Sequence, residues 1–224
     1  SHAPIVIEEG LDHVSFVDTG APHETKNTKN NPLDICCDKI HIVFDDFNQN
    51  DVLQPYKRYK TTYYARPTDD GTDAQGLPIN QRYAIYKSKI SWSQPRAAAT
   101  ASWPETGEWI GQQQGCSECY HEQLIRDYVE DIEFIALDRN GRRLLPLPDP
   151  TTAAGRDNLY KIRSIDIKLT FRSEKNFFRF DAKDGQSRKV LGFSRTKEDY
   201  TDRYLRDTVV VTVFTRNIVD EGLF

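Results

Sequence analysis

Tyr204-Leu-Arg-Asp-Thr-Val-Val-Val-Thr-Val-Phe-Thr-Arg-Asn217 is the last long apolar run of a 224-residue chain, and its reading decides the fold. At a period of two, Leu205, Val209, Val211 and Val213 share one face with Asp207. Arg206, Thr208, Val210, Thr212, Phe214 and Arg216 share the other. One nearly apolar face and one mixed face predict a strand buried on one side and half covered on the other. β-branched residues dominate and neither Gly nor Pro interrupts the run, which favours a pleated strand over a helix.

Similar alternation recurs upstream. Leu159–Arg172 places Ile165, Ile167, Leu169 and Phe171 on one side, and Arg82–Trp92 reads as another strand. Asp38–Asp45, with Ile40, Ile42 and Phe44 aligned, and the Tyr- and Thr-rich Tyr56–Ala65 flank the polar turn Asp46–Asp51, the pattern of a hairpin. A second hairpin is expected where Asp131–Leu137 meets Asp138-Arg-Asn-Gly141 and Arg142–Leu145. Leu124, Ile125, Tyr128 and Val129 recur at helical spacing amid charge, so a short helix is predicted near 119–129. Residues 4–34, 66–82 and Pro146–Gly155 read as loops, 93–118 as a long loop insertion, and Asn176–Phe180 as a further strand. The expected fold class is therefore α+β, one domain over 4–224 dominated by antiparallel sheet.

Composition narrows the function. Hydrophobic residues make up 38% and charged residues 29%, as in a globular domain, and no run approaches a membrane helix. The net charge of −4 is small and well mixed, which argues against nucleic acid, whose binding calls for a basic face. The chain contains no Met, and Ser1-His2-Ala3 reads as the remnant of a cleaved tag, so an N-terminal segment is expected to have been removed.

The cysteines fall as Cys36-Cys37 and Cys116-Ser-Glu-Cys119. An even number in an exported chain favours disulfides. The second pair also has zinc-ligand spacing, although adjacent cysteines make an awkward half-site because neighbouring side chains diverge. Free thiols are the third option, with Cys119 at a predicted helix start where thiol pKa falls. Asp46, Asn48 and Asn50 alternate as in the opening of a calcium loop. Positions six and twelve are Asp51 and Lys57 rather than Gly and an acid, so the loop is incomplete, and side chains bonding their own backbone explain the pattern equally. Trp92, Trp103 and Trp109 suit either a core or a sugar-stacking platform. No nucleophile elbow, phosphate-cradling glycine loop or paired-histidine motif occurs, so the chain reads as non-catalytic.

Three pieces carry a family resemblance: Glu122–Phe134 followed by Asp138–Gly141, Ile162–Leu169 ending at Arg172-Ser173, and Leu205–Asn217 with its closing Arg-Asn. Together with Ile40–Asn50, they resemble the globular domain of PilW-like type IV pilus minor pilins and the related J-type minor pseudopilins of type II secretion. The resemblance covers about residues 35–65 and 120–219 and leaves the 66–118 segment unmatched. It implies a pilin-like α+β domain without its N-terminal hydrophobic helix, and a non-catalytic subunit helping to prime filament assembly. It also implies partners among other minor pilins and the major pilin, and membrane contact through the missing helix alone. The implied location is the inner membrane and periplasm before assembly, then the pilus at the cell surface. A calcium- or glycan-binding secreted module is the alternative from another class, and an envelope hydrolase a third.

Overall fold

The computed structural model describes residues 4–8, 37–47, 49–50, 56–76, 79, 82–94, 106–145, 147–175, 188–190, 198–200 and 204–215. Cys36, Asn48, Trp103, the 176–180 strand expectation and Arg216-Asn217 lie outside the described residues.

The expected α+β class is overturned. The described chain is almost entirely antiparallel strand, a curled half-barrel sheet with one short α-helix. The main sheet follows chain order: β1 (Ile5–Glu8), β2 (Lys39–Phe47), β3 (Tyr56–Thr68), β4 (Arg82–Trp92), β6 (Tyr120–Leu137), β7 (Ser164–Arg172) and β10 (Arg206–Phe214). The short β5 (Trp109–Ile110) adds to β4 beside β6, and β8 (Arg188–Val190) pairs with β9 (Glu198–Tyr200) in a separate ribbon.

The predicted helix near 119–129 is instead the first half of the 18-residue strand β6. Its helical spacing misleads for a definable reason. Against β4 the register slips between Tyr83 and Ile85, Ile85 and Tyr86, and Lys87 and Lys89, and each bulge shifts the side-chain alternation. Leu124 and Ile125 are about half exposed, so they are not a core stripe, and Val129 alone of the four is buried. β6 also changes neighbours. Tyr120 to Val129 pairs with β4 and Val129 to Leu137 with β7, and Tyr128 at the junction has φ +60°, a strained value for a non-glycine residue.

Curling brings the start of β2 back to the second half of β6, on the side away from β7. The Asp38 N–H donates to the Ile132 carbonyl (2.8 Å), and the Phe134 N–H donates to the Asp38 carboxylate (2.9 Å). Asp38 therefore completes a stretch of β6 backbone that would otherwise be buried without partners. The core lies on one face of the curl, built from Ile5, Ile7, Ile40, Ile85, Val129, Ile132, Phe134, Ala136 and Ile165.

Leu159, at the end of the short α-helix α1 (Ala153–Leu159), and Ile162 just beyond it complete that core. The helix begins within Pro146–Gly155, read as loop, and ends at Leu159, read as the start of a strand. Thr152 caps it, its hydroxyl accepting from the Gly155 N–H at 3.0 Å. A Cβ on Gly155 would lie 1.8 Å from the Asp149 carbonyl oxygen, so the packing of the cap onto its preceding turn requires glycine.

The hairpin of β2 and β3, strand β4 and the turn after β6 stand as expected, the last closed by Asp138 N–H to Arg142 carbonyl and by Gly141 at φ +71°. β7 starts at Ser164, not at Leu159, because Leu159 ends α1 and a turn follows it, with the Lys161 N–H donating to the Asn158 carbonyl at 3.0 Å.

Candidate functional site

The sequence-flagged polar residues gather at one end of the β2–β3 hairpin. Asp46 and Asn50 line an open cleft of about 340 Å³ with Phe47, Gln49, Lys57, Tyr59 and Glu118. Lys57 lies opposite Asp46 in the ladder, which places an ammonium group where a cation would need oxygens. The Tyr59 hydroxyl donates to the Glu118 carboxylate at 2.7 Å. Burial, reinforced by Glu118, pushes the Tyr59 phenol well above its usual range, and the same hydrogen bond lowers the Glu118 carboxyl. Among the described residues no group of three His, Cys, Asp or Glu is spaced to hold a metal.

Cys116 and Cys119 are joined in a disulfide, with Cα atoms 5.3 Å apart, packed beneath Tyr59 and Ile110. Cys37 is also disulfide-bonded, and bridged sulfurs present no thiolate to a metal. Cys119 precedes a strand, not a helix, so the helix-terminus argument for a reactive thiol falls. Trp92 and Trp109 pack edge to face at 5.3 Å, with the Lys60 ammonium 4.7 Å from the Trp109 ring centre.

A cluster of paired charges that the sequence reading missed braces the β6 corner. Arg82 is buried, bonds Asp127 (2.8 Å) and Asp70 (2.6 Å), and stacks 4.3 Å from the Tyr128 ring centre. Arg206 reaches Glu130 at 3.1 Å, with Arg172 beside the same carboxylate. Four guanidinium–acid contacts so close to one strained residue mark a corner held by ion pairs. Their partners are far apart in the chain, which is why no local motif reveals them.

The two ends of the sheet differ more than any other pair of features. At one end, Ile5 and Ile7 of β1 are buried against Ile42 and Ile40 of β2. Glu8 binds Lys39 (2.7 Å) and His41 (3.0 Å), and His41 also meets the Thr62 hydroxyl at 2.8 Å. At the other end, β10 pairs with β7 over its whole length, from Arg206 opposite Arg172 to Phe214 opposite Ser164. Among the described residues no strand lies on its far side.

The expectation that this run is a strand holds, but the expectation of burial does not. Val209, Val210, Val211 and Val213 are 41–50% exposed and Phe214 is 73% exposed. Val209, Val211 and Val213 share the core face with Leu169, Ile167 and Ile165 of β7, yet they stay about half exposed at the sheet's end. Asp207 lies near the strand start, exposed, with its carboxylate accepting from the Thr208 N–H at 2.8 Å. β10 is thus a long apolar strand that, among the described residues, ends the sheet, the kind of surface that accepts another strand.

Comparison of the chain with protein-family models, curated proteins and solved structures finds no match. Among the described residues, no helix is long and apolar enough to cross a membrane.

Proposed function

We propose that the chain is a non-catalytic assembly subunit, a PilW-like minor pilin that takes part in priming a type IV pilus or pseudopilus through protein–protein contacts. The observation that carries the reading is the β10 edge, an exposed apolar strand of nine residues with, among the described residues, no strand on its outer side. Two pieces of the family resemblance, Ile162–Leu169 and Leu205–Asn217, contribute the strands β7 and β10 that form this edge. The reading concerns assembly chemistry and leaves the α+β frame aside, since the domain is a curled antiparallel sheet.

In this reading the partners are other minor pilins and the major pilin. The subunit resides in the inner membrane and periplasm before joining a surface filament, with an apolar helix upstream of Ser1 as its anchor. Deletion of the gene in its source organism, scored by counting surface filaments in electron micrographs, tests it. Filament number is expected to collapse and to return on complementation with the wild-type gene. A deletion strain with normal filaments and normal pseudopilus-dependent secretion overturns the reading.

A further inference from the structure

We propose that β10 pairs antiparallel with β10 of a second copy of this chain, about a two-fold axis through Val210, joining two sheets into one. The inference names an occupant for the edge on which the assembly reading rests. The first observation is backbone direction. The Ser173 N–H donates to the Leu205 carbonyl (2.8 Å) and the Thr215 N–H donates to the Arg163 carbonyl (2.9 Å). Backbone groups alternate in an antiparallel ladder, so Leu205, Asp207, Val209, Val211, Val213 and Thr215 turn theirs toward β7. Arg206, Thr208, Val210, Thr212 and Phe214 turn theirs outward.

The second observation is that the edge reads the same in both directions. Thr208-Val-Val-Val-Thr212 is a palindrome centred on Val210, and Val210 is also the midpoint of the strand Arg206–Phe214. A two-fold axis there matches outward groups with outward groups along the full strand. It sets Thr208 opposite Thr212 of the second copy, Val209 opposite Val211, and Val210 opposite itself. Threonine and β-branched pairs of this kind are favourable cross-strand neighbours. Charge agrees as well, because Asp207 would face Val213 and Arg206 would face Phe214, so no like charges oppose one another.

The third observation concerns what the edge lacks. From Thr208 to Phe214 there is no Lys, Pro or Gly, the residues that commonly keep sheet edges apart. The exposed Val209, Val211 and Val213 would gain neighbours across the axis, extending the apolar face that now stops at β10.

The experiment is mass measurement in solution across protein concentrations of about 1 to about 500 µM. The wild-type chain is expected to rise from monomer to dimer. Val210→Lys, which sets two ammonium groups against each other at an exposed position, is expected to weaken the dimer more than about tenfold while leaving the melting temperature of the monomer unchanged. Mild oxidation should crosslink Val210→Cys into a covalent dimer, since directly opposed residues lie about 5.5 Å apart, within disulfide reach. Val213→Cys, opposite Asp207, should not crosslink. A wild-type chain monomeric throughout, a Val210→Lys variant that dimerises as well as wild type, or crosslinking at 213 in preference to 210 overturns self-pairing. A monomer would leave the filament reading intact with a different partner strand, whereas normal filaments in the deletion strain would leave the dimer intact, so the two fail separately.

Discussion

The strands at the two ends of the sheet, β1 and β10, solve the same problem in opposite ways. β1 is four residues long, buries Ile5 and Ile7, and ends in Glu8 tied to Lys39 and His41. A short strand closed by charge offers little to an incoming chain. β10 is nine residues long, apolar through its middle, and exposed on both faces. The difference teaches that one end of this sheet is buried and closed by ion pairs, while the other, among the described residues, ends in an exposed apolar strand. Apolar content does not distinguish them, since both are rich in β-branched residues.

The contrast is broken most forcefully by truncating apolar side chains at each end. Ile7→Ala leaves a cavity in the core and is expected to cost about 3 kcal/mol in urea denaturation. Val211→Ala at the open edge should cost no more than about 0.5 kcal/mol in the monomer, because its side chain is half exposed. Equal losses at the two positions would mean that β10 is covered.

A smaller effect is expected where the curl returns to β6. Asp38→Ala removes the acceptor of the buried Phe134 N–H, which should cost about 2 kcal/mol of unfolding free energy. Asp38→Asn keeps a side-chain oxygen there and should recover part of the loss. If Ala and Asn behave alike, the carboxylate does not act as the missing strand partner.

Acid should loosen the β1 end selectively. Burial, only partly opposed by Glu8, lowers the His41 pKa below its ordinary 6.5, while the His41 hydrogen bond, aided by Lys39, holds Glu8 down at about 2. Both folded values lie below the unfolded ones, so both contributions are present at neutral pH and are lost on acidification. The His41 contribution is full above about pH 6.5 and declines below it. The Glu8 contribution is full above about 4.5 and is lost as pH falls toward 2. The melting temperature should fall in two stages, and His41→Gln should remove the first. A His41→Gln variant whose stability still declines between pH 6.5 and 5 contradicts this account of the closed end.

Much of the sheet was legible in the sequence, and the failures have local causes. β2, β3, β4 and β7 announce themselves because the extra residues at the register slips lie on β6 and leave their own two-residue alternation undisturbed. In β6 only the second half, Asp131–Leu137, does so, because bulges and the Tyr128 bend shift the alternation of the first half until Leu124, Ile125 and Val129 imitate a helix. α1 was hidden by its length of seven residues and by a Thr152 cap with no acid or amide side chain three positions on. The β10 strand was readable from Val209 to Val213, but its exposure was not. Burial depends on what packs over a strand, and composition cannot supply that. The Arg82 and Glu130 clusters were equally invisible, since they assemble residues from separate strands.

Amide hydrogen exchange along β10 tests the open edge most directly. In dilute protein the amides of Val209, Val211 and Val213, which point to β7, are expected to be protected, while those of Val210 and Thr212 exchange rapidly. Raising the concentration should slow the second set as partner strands pair. Strong protection of Val210 and Thr212 in the dilute monomer would contradict the account, because the edge would then already be filled within a single chain.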